Sequence, residues 1–399
     1  MTYLARGAAA LAAVLVLGCA TNPVTGKSEL ALVSESQEIQ MGQQAAQDVA
    51  NTIGLYQDQQ VQNYVSAIGK KLAAGSERPS LPWEFHVVDD PAVNAFALPG
   101  GFIYVTRGLM THIDSEAELV SVMGHEIGHV TARHSVQQIS RSQVAQLGLG
   151  IGSILSPTVA KYAGVASSGL GLLFLKFSRD DESQADALGF RYALAGGYDV
   201  REMLDVFRML QAVTDASGGG GTPQWLETHP DPGNRLAVTQ RRLDSLHTSL
   251  AGKVVGRDEF LQVVNNMTYG ENPRQGFFRG TLFLHPDLRF QIEFPSGWKT
   301  QNQTASVAAM SPGQDAIIQL TVAGNQAPDA ANTAFTSQQG VQVVQTGRTS
   351  VNGSSAVTTV FDAQTDQGVI RGRVTFFSFG GSTYQILGYT PATKFSGYD

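Results

Sequence analysis

Two histidines four positions apart constrain the fold of this chain more than any other feature. They stand in the run HEIGH at positions 125–129. Residues at i and i+4 share one face of an α-helix, so both imidazoles reach the same point if this run is helical. Ser115 and Glu118 form a capping box that begins such a helix. The apolar pattern predicts that the helix runs to about His134.

The same run predicts a metal site. Paired histidines at this spacing are typical of zinc ligands, and Glu126 is offset around the helix, where its carboxylate can act on a metal-bound water without being a ligand. A catalytic zinc needs a third protein ligand and an open fourth position. A second predicted helix, from about Arg179 to Leu194, offers Glu182 and Asp186 on one face.

Three motifs in a fixed order carry a resemblance to a known family. HEIGH is followed after about fifty residues by SRDDESQAD and then by THPDPGNR. This order resembles the HtpX-like gluzincin zinc metallopeptidases of peptidase family M48, and in particular a lipoprotein subgroup. The resemblance covers about residues 22–250. It implies a mainly helical zincin peptidase domain with a small β-sheet.

The resemblance assigns roles around the metal. It implies one Zn²⁺ per chain, bound by His125, His129 and Glu182, with Glu126 as the general base. It also implies that Asp186 orients a zinc-binding histidine. This agrees with the chemistry, because zinc-bound imidazoles usually donate their other N–H to a carboxylate.

His229 and Arg235, in the third motif, line the active site by the same resemblance. Two roles are open for His229. Its N–H could stabilise the developing oxyanion, with Arg235 assisting. It could instead bind zinc as a fourth ligand and hold the enzyme latent.

Other polar residues near the motifs are interpreted as structural. Nothing in the sequence pairs with His134, so we expect no role for it at the metal. Asp180 and Asp181 fit a negatively charged first turn of a helix better than a ligand set.

A predicted strand before the motif helix carries the expected substrate site. The residues Asn94, Ala95, Phe96 and Ala97 resemble the family's substrate-binding edge strand, and residues 96–106 read as a hairpin-like pair of strands. An extended peptide added to such an edge makes main-chain hydrogen bonds with little sequence preference. That suits a protease for unfolded proteins.

The N-terminus predicts export and lipidation. Arg6, an apolar stretch from Ala8 to Leu17, and then Gly18 form a signal peptide. The run VLGC resembles the bacterial lipobox, which implies that Cys19 is lipidated and holds the protein on a membrane. Ala20 after the cysteine implies the periplasmic face of the outer membrane. The alternative is a plain secretory signal with a buried cysteine.

Composition changes after about Tyr269, where alternating apolar residues predict strands, for example from Leu288 to Phe294. The fold class is therefore α+β, with a smaller C-terminal domain that is β-rich or α/β. We divide the chain into a signal peptide (1–18), a lipidated tether (19–33), a zinc peptidase domain (34–268) and a C-terminal domain (275–399).

Two segments within the peptidase domain are less regular. Residues 142–175 are glycine-rich and apolar, and we interpret them as buried helices or an active-site cover; a membrane-dipping hairpin is the alternative. Residues 218–221 are four consecutive glycines, which predict a flexible loop.

The charge balance excludes nucleic acid as a partner. Lys and Arg number 27 against 34 Asp and Glu, for a net charge of −7, and no long basic run occurs. We expect a zinc-dependent endopeptidase that acts on misfolded or misassembled proteins of the bacterial cell envelope. One alternative is a zinc-stabilised chaperone or assembly factor with little turnover. Another is an interaction module that uses the C-terminal domain, whose partner the sequence does not reveal.

Overall fold

A computed structural model describes residues 19–149, 172, 175–216, 225, 228–229, 232–303, 306–365 and 368–398. The chain separates into two compact units, Met1–Gly270 and Glu271–Asp399. The first is helical with a small sheet and the second is β-rich, so the predicted α+β class is confirmed. The predictions for the signal peptide, for most of residues 142–175 and for the loop at 218–221 lie outside the described residues.

The elements of the first unit follow in chain order. They are β1 (Cys19–Thr21), β2 (Ser28–Leu30), α1 (Glu35–Thr52), α2 (Gln59–Ala73), β3 (Glu84–Val88), β4 (Ala95–Leu98), β5 (Phe102–Thr106), α3 (Arg107–Met110), α4 (Glu116–Thr131), α5 (His134–Leu149), α6 (Arg179–Ala195), α7 (Glu202–Ala216), α8 (Pro232–Asp244) and α9 (Arg257–Val264). The HEIGH run lies on α4, and Glu182 lies on α6. None of the described helices has the length and apolar character that crossing a membrane requires.

The first unit contains a three-stranded sheet with the order β3-β5-β4. β3 and β5 are parallel, whereas β4 and β5 form the antiparallel hairpin that the sequence predicted. Gly100 has a φ of +83°, and a Cβ there would lie 2.6 Å from the Ile39 Cα atom, so the turn requires glycine. Among the described residues β4 has no second strand partner, and it packs against α4.

The helices α4 and α6 touch through their backbones. A Cβ on Gly124 would lie 3.1 Å from the Cα of Gly189, and a Cβ on Gly189 would lie 2.8 Å from the backbone nitrogen of His125. On the next turn, a Cβ on Gly128 would lie 3.0 Å from the Ala185 carbonyl oxygen. Glycine within a helix costs roughly 0.5–1 kcal/mol relative to alanine. The close helix contact is the structural reason for glycine at these positions.

The helix α4 begins at the predicted cap and ends sooner than expected. The Ser115 hydroxyl accepts a hydrogen bond from the Glu118 N–H, but the Glu118 carboxylate accepts from Asp114 rather than completing a capping box. The helix ends at Thr131 because Arg133 turns into the left-handed region, with a φ of 61°. A new helix, α5, then starts at His134.

The segment predicted to be a tether contains a hairpin. β1 and β2 pair in antiparallel register, and the buried Asn22 side chain organises the turn between them. Its Oδ1 accepts from the N–H groups of Val24 and Thr25, while its Nδ2 donates to the Ala132 carbonyl at the end of α4. An asparagine side chain thus supplies hydrogen bonds that fold this segment against the peptidase helices.

The second unit is built on two antiparallel sheets. The small sheet has the order β6-β7-β8 and the large one β12-β13-β14-β15-β11-β10-β9. Its elements are β6 (Phe277–Arg279), β7 (Leu282–His285), β8 (Phe290–Glu293), β9 (Lys299–Gln303), β10 (Ser306–Met310), β11 (Ile317–Val322), α10 (Pro328–Thr336), β12 (Val341–Val351), β13 (Ser354–Thr365), β14 (Gly368–Phe379) and β15 (Ser382–Pro391), with 3₁₀ turns at Pro273–Gln275 and Ala392–Gly397. The alternating pattern from Leu288 to Phe294 had predicted β8. β12 shows no such pattern because it is an edge strand exposed on both faces.

A buried ion-pair network fastens α1 to the end of α4. The Glu38 carboxylate, which is 1% exposed, accepts hydrogen bonds from Arg78 Nη1 at 2.8 Å and from Arg133 Nε at 3.0 Å. Arg78 also contacts Glu35, whose side chain is 61% exposed. Removing one partner of a buried pair leaves an uncompensated buried charge, whereas an exposed partner is replaced by water.

We therefore predict that Glu38→Ala lowers the free energy of unfolding by about 3–5 kcal/mol. The matched control Glu35→Ala, which removes the exposed partner of the same arginine, should cost about 1 kcal/mol or less. Urea unfolding of both variants measures the difference. Equal costs would show that burial of this pair has no energetic consequence.

Candidate metal centre

Seven polar side chains meet in the interior where three helices and one turn converge. Each is 5% exposed or less. They are His125, Glu126 and His129 from α4, Glu182 and Asp186 from α6, His229 from the turn at residues 228–229, and Arg235 from α8. Every metal-site and catalytic residue predicted from the sequence thus lies in one cluster.

Four side chains direct donor atoms at one point. One ligand atom from each of His125, His129, Glu182 and His229 lies within 4.8 Å of the others. The Nε2 atoms of His125 and His129 are 3.0 Å apart, and His229 Nδ1 is 3.3 Å from His125 Nε2. Glu182 Oε1 lies 3.3 Å from His129 Nε2 and 2.9 Å from His229 Nδ1.

These separations fit a metal ion. Four ligands at bond lengths of about 2.0–2.2 Å in a tetrahedron stand roughly 3.3–3.6 Å apart, close to the observed spacing. Some buried polar atoms of the cluster have no hydrogen-bond partner among the described residues. Glu126 Oε1 has no hydrogen-bond partner among the described residues, and Glu182 Oε2 contacts Arg235 Nη1 at 3.0 Å without hydrogen-bond geometry. Imidazole and carboxylate donors in this arrangement suit a divalent transition metal.

A carboxylate and an arginine hold His125 from behind. Asp186 Oδ1 lies 2.9 Å from His125 Nδ1, and Arg235 donates to both Asp186 oxygens at 2.7 and 2.9 Å. Burial alone would raise the pKa of Asp186, but the Arg235 charge and the hydrogen bonds hold that pKa well below its usual range. The Asp186 carboxylate is thus ionised and fixes the orientation of the His125 ring. Arg235 thus contacts the carboxylates of both Asp186 and Glu182.

Glu126 has the environment of a proton acceptor. Its side chain is 1% exposed, and burial raises the pKa of its carboxyl group to about 7. The Nε2 atom of His229 lies 3.7 Å from Glu126 Oε1. A carboxyl group with a pKa near neutrality can both accept and release a proton.

His134 has partners, so the expectation that nothing pairs with it was wrong. Its Nδ1 lies 2.9 Å from Nδ1 of His129, and its Nε2 lies 2.9 Å from Gln184 Oε1. The left-handed turn at Arg133 brings His134 beside His129. The sequence carries no signal for that turn, because arginine rarely adopts a positive φ.

Aromatic side chains that sequence reasoning missed enclose the cluster. Trp225 stacks on His229 with ring centroids 4.3 Å apart, and Phe177 lies 4.0 Å from the ring of His129. Phe207 lies 4.9 Å below the Arg235 guanidinium. A single aromatic residue has no periodicity, so only the tertiary structure shows that these side chains surround the cluster.

The four residues expected to bind substrate lie at and beside the edge strand β4. Asn94 precedes the strand and its backbone pairs with Thr106. Phe96 stacks on Tyr104 at 5.0 Å, which anchors β4 to the sheet. Among the described residues β4 is an edge strand of its sheet, and it packs against α4.

Comparison with known proteins identifies the domain. The model of Peptidase family M48 matches residues 59–243. The "Beta-barrel assembly-enhancing protease" of Escherichia coli K12 is 29% identical over 234 residues, which is 57% of this chain and 48% of that protein. The protein of the same name from Yersinia pestis is 30% identical over 56% of this chain and 47% of its own length.

A mitochondrial relative matches over a shorter region. The "Mitochondrial metalloendopeptidase OMA1" of Arabidopsis thaliana is 36% identical over 43% of this chain and 34% of its own length. A solution structure of cyanobacterial PsbP from Synechocystis covers 30% of this chain and 86% of its own at 10% identity, with a TM-score of 0.25, too low to assign a fold.

The chain spans about half the length, or less, of the curated relatives that it matches. The matched region includes α2 to α8 and therefore every residue of the buried cluster. The order of the three sequence motifs had predicted this family. The chain carries a Peptidase family M48 domain.

Proposed function

We propose that this protein is a zinc-dependent endopeptidase. The observation that carries the proposal is the buried cluster, in which four donor atoms converge beside a glutamate with no hydrogen-bond partner for one of its oxygens among the described residues. The relatives named as proteases support it. The proposed zinc ligands are His125, His129 and Glu182, because a catalytic zinc commonly has three protein ligands.

The chain's own residues divide the chemistry among them. Zinc, when bound, lowers the pKa of a water molecule and polarises the peptide carbonyl. Glu126 Oε1 accepts the proton of the attacking water and passes it to the departing amine nitrogen. Asp186 and Arg235 keep the His125 ring in place throughout, since the carboxylate is fixed from both sides.

We further propose that His229 holds the site closed in the resting protein. Of the two roles that the sequence left open, the distances favour the fourth donor, because His229 Nδ1 lies 2.9 Å from Glu182 Oε1 and 3.3 Å from His125 Nε2. With zinc bound, an imidazole in that position would take the place of the reacting water. Trp225 stacks on the imidazole and supports this position.

The substrate and the cellular location are part of the same proposal. An extended substrate segment would pair with the edge of β4 at Asn94 to Ala97, which has no strand partner among the described residues, and would be recognised mainly through its backbone. A lipid on Cys19 would place the enzyme in the bacterial cell envelope, on the periplasmic face of the outer membrane. Misfolded or misassembled envelope proteins are then the proposed substrates.

We predict that Glu126→Gln retains zinc but lowers peptide hydrolysis by about 100 to 10,000-fold, since an amide cannot accept the water proton. Metal analysis and proteolysis of an unfolded protein such as casein measure the two properties. The matched control is Glu118→Gln, the same change at a buried glutamate two turns earlier on α4, and it should keep both.

Turnover that survives Glu126→Gln would refute the mechanism. A wild-type protein that binds zinc and unfolded clients but does not cleave them would instead favour the zinc-stabilised chaperone or assembly factor.

His229→Ala distinguishes the two roles of that residue. If His229 is the resting fourth donor, its removal should leave the zinc content unchanged and raise the basal rate of hydrolysis. If it is the oxyanion donor, the rate should fall by about 100 to 1000-fold. Peptidase assays beside zinc analysis decide between them, and a fall in rate at full zinc would contradict the closed resting state.

A further inference from the structure

The imidazole of His134 is the one buried histidine beside the cluster that the proposed mechanism leaves without a task. It is 2% exposed and lies at the first position of α5. Its Nδ1 lies 2.9 Å from His129 Nδ1, and its Nε2 lies 2.9 Å from Gln184 Oε1 and 3.7 Å from Asp181 Oδ1. A structural histidine would not need to face a metal ligand.

The chemistry of a metal-binding imidazole fixes the direction of these hydrogen bonds. A neutral histidine that binds a metal through Nε2 carries its proton on Nδ1, and this N–H needs an acceptor. For His129 the atom in place is Nδ1 of His134. His134 Nδ1 can accept only if the His134 proton is on Nε2, where the Gln184 carbonyl oxygen receives it. Each donor therefore has an acceptor along the hydrogen-bonded series His129, His134 and Gln184.

The backbone around His134 is held in an unusual conformation that produces this contact. Arg133 has a φ of 61°, which is costly for a residue with a side chain. Its guanidinium is fixed by Glu38 Oε2 at 3.0 Å and by the Val33 carbonyl at 2.9 Å. These contacts maintain the tight turn between α4 and α5 and thereby direct His134 toward His129.

We propose that His134 is a positioning residue of the metal centre. It accepts the Nδ1–H of His129 and so keeps the lone pair of His129 Nε2 directed at the metal, while Gln184 keeps His134 in the accepting tautomer. His134 thus does for His129 what Asp186 does for His125. The inference rests on the proposed zinc site.

The test compares zinc affinities of the full chain by competition with a chromophoric chelator. His134→Leu fills the space without an acceptor and should weaken zinc binding by about 10 to 100-fold. His134→Asn is the matched variant, because its carbonyl oxygen can take the place of Nδ1, and it should bind zinc with nearly wild-type affinity. Gln184→Leu should show a smaller loss in the same direction. Thermal unfolding of the metal-free variants checks that each is folded.

The outcomes separate this inference from the proposed function. If the wild type binds zinc and His134→Leu binds it as tightly, the positioning role is wrong and the zinc site stands. If His134→Asn is as weak as His134→Leu, the acceptor is not what matters and the inference is also wrong. If the wild type binds no zinc, both proposals fail. Should His134→Leu not fold, wild-type affinity in Gln184→Leu together with a loss in His134→Asn would overturn the inference.

Discussion

The backbone contact between α4 and α6 is the constraint on which the rest of the site depends. Gly124 and Gly189 let the two helices approach until a Cβ on either would meet the other helix at about 3 Å. At this separation, carboxylates of α6 reach imidazoles of α4 directly. Glu182 and Asp186 then meet the two sides of the same His125 ring. With a wider spacing between the helices, Glu182 would not reach the two histidines of the HEIGH run.

Burying so many charged groups is costly unless each is compensated. The charge of Arg235 compensates those of Glu182 and Asp186. At the other end of α4, Glu38 forms ion pairs with Arg78 and Arg133. The polar atoms left over are therefore informative. Among the described residues they include one oxygen each of Glu126 and Glu182, and these are atoms that the proposed chemistry uses. Exceptions to polar pairing tend to mark functional sites.

Much of the arrangement was predictable from the sequence because it depends on local rules. The spacing of the HEIGH histidines indicated a helix, and Ser115 marked the start of that helix at its observed position. Glu182 was a candidate by chemistry, but only the family resemblance selected it as the third ligand. Its approach to the histidines depends on the α4–α6 contact, which no local pattern specifies.

What the sequence could not predict depends on tertiary structure. His134 seemed unpaired because its partners follow from the left-handed turn at Arg133. The hairpin in the expected tether depends on Asn22 bonding to the distant Ala132 carbonyl. The edge strand β12 is exposed on both faces, so it lacks the alternation by which strands are recognised.

The most direct test of the account is a crystal structure of the zinc-loaded protein with anomalous data collected at the zinc edge. We expect one zinc per chain, bonded to Nε2 of His125, Nε2 of His129 and a Glu182 oxygen at about 2.0–2.2 Å. Zinc bound elsewhere, or bound without Glu182, would contradict it.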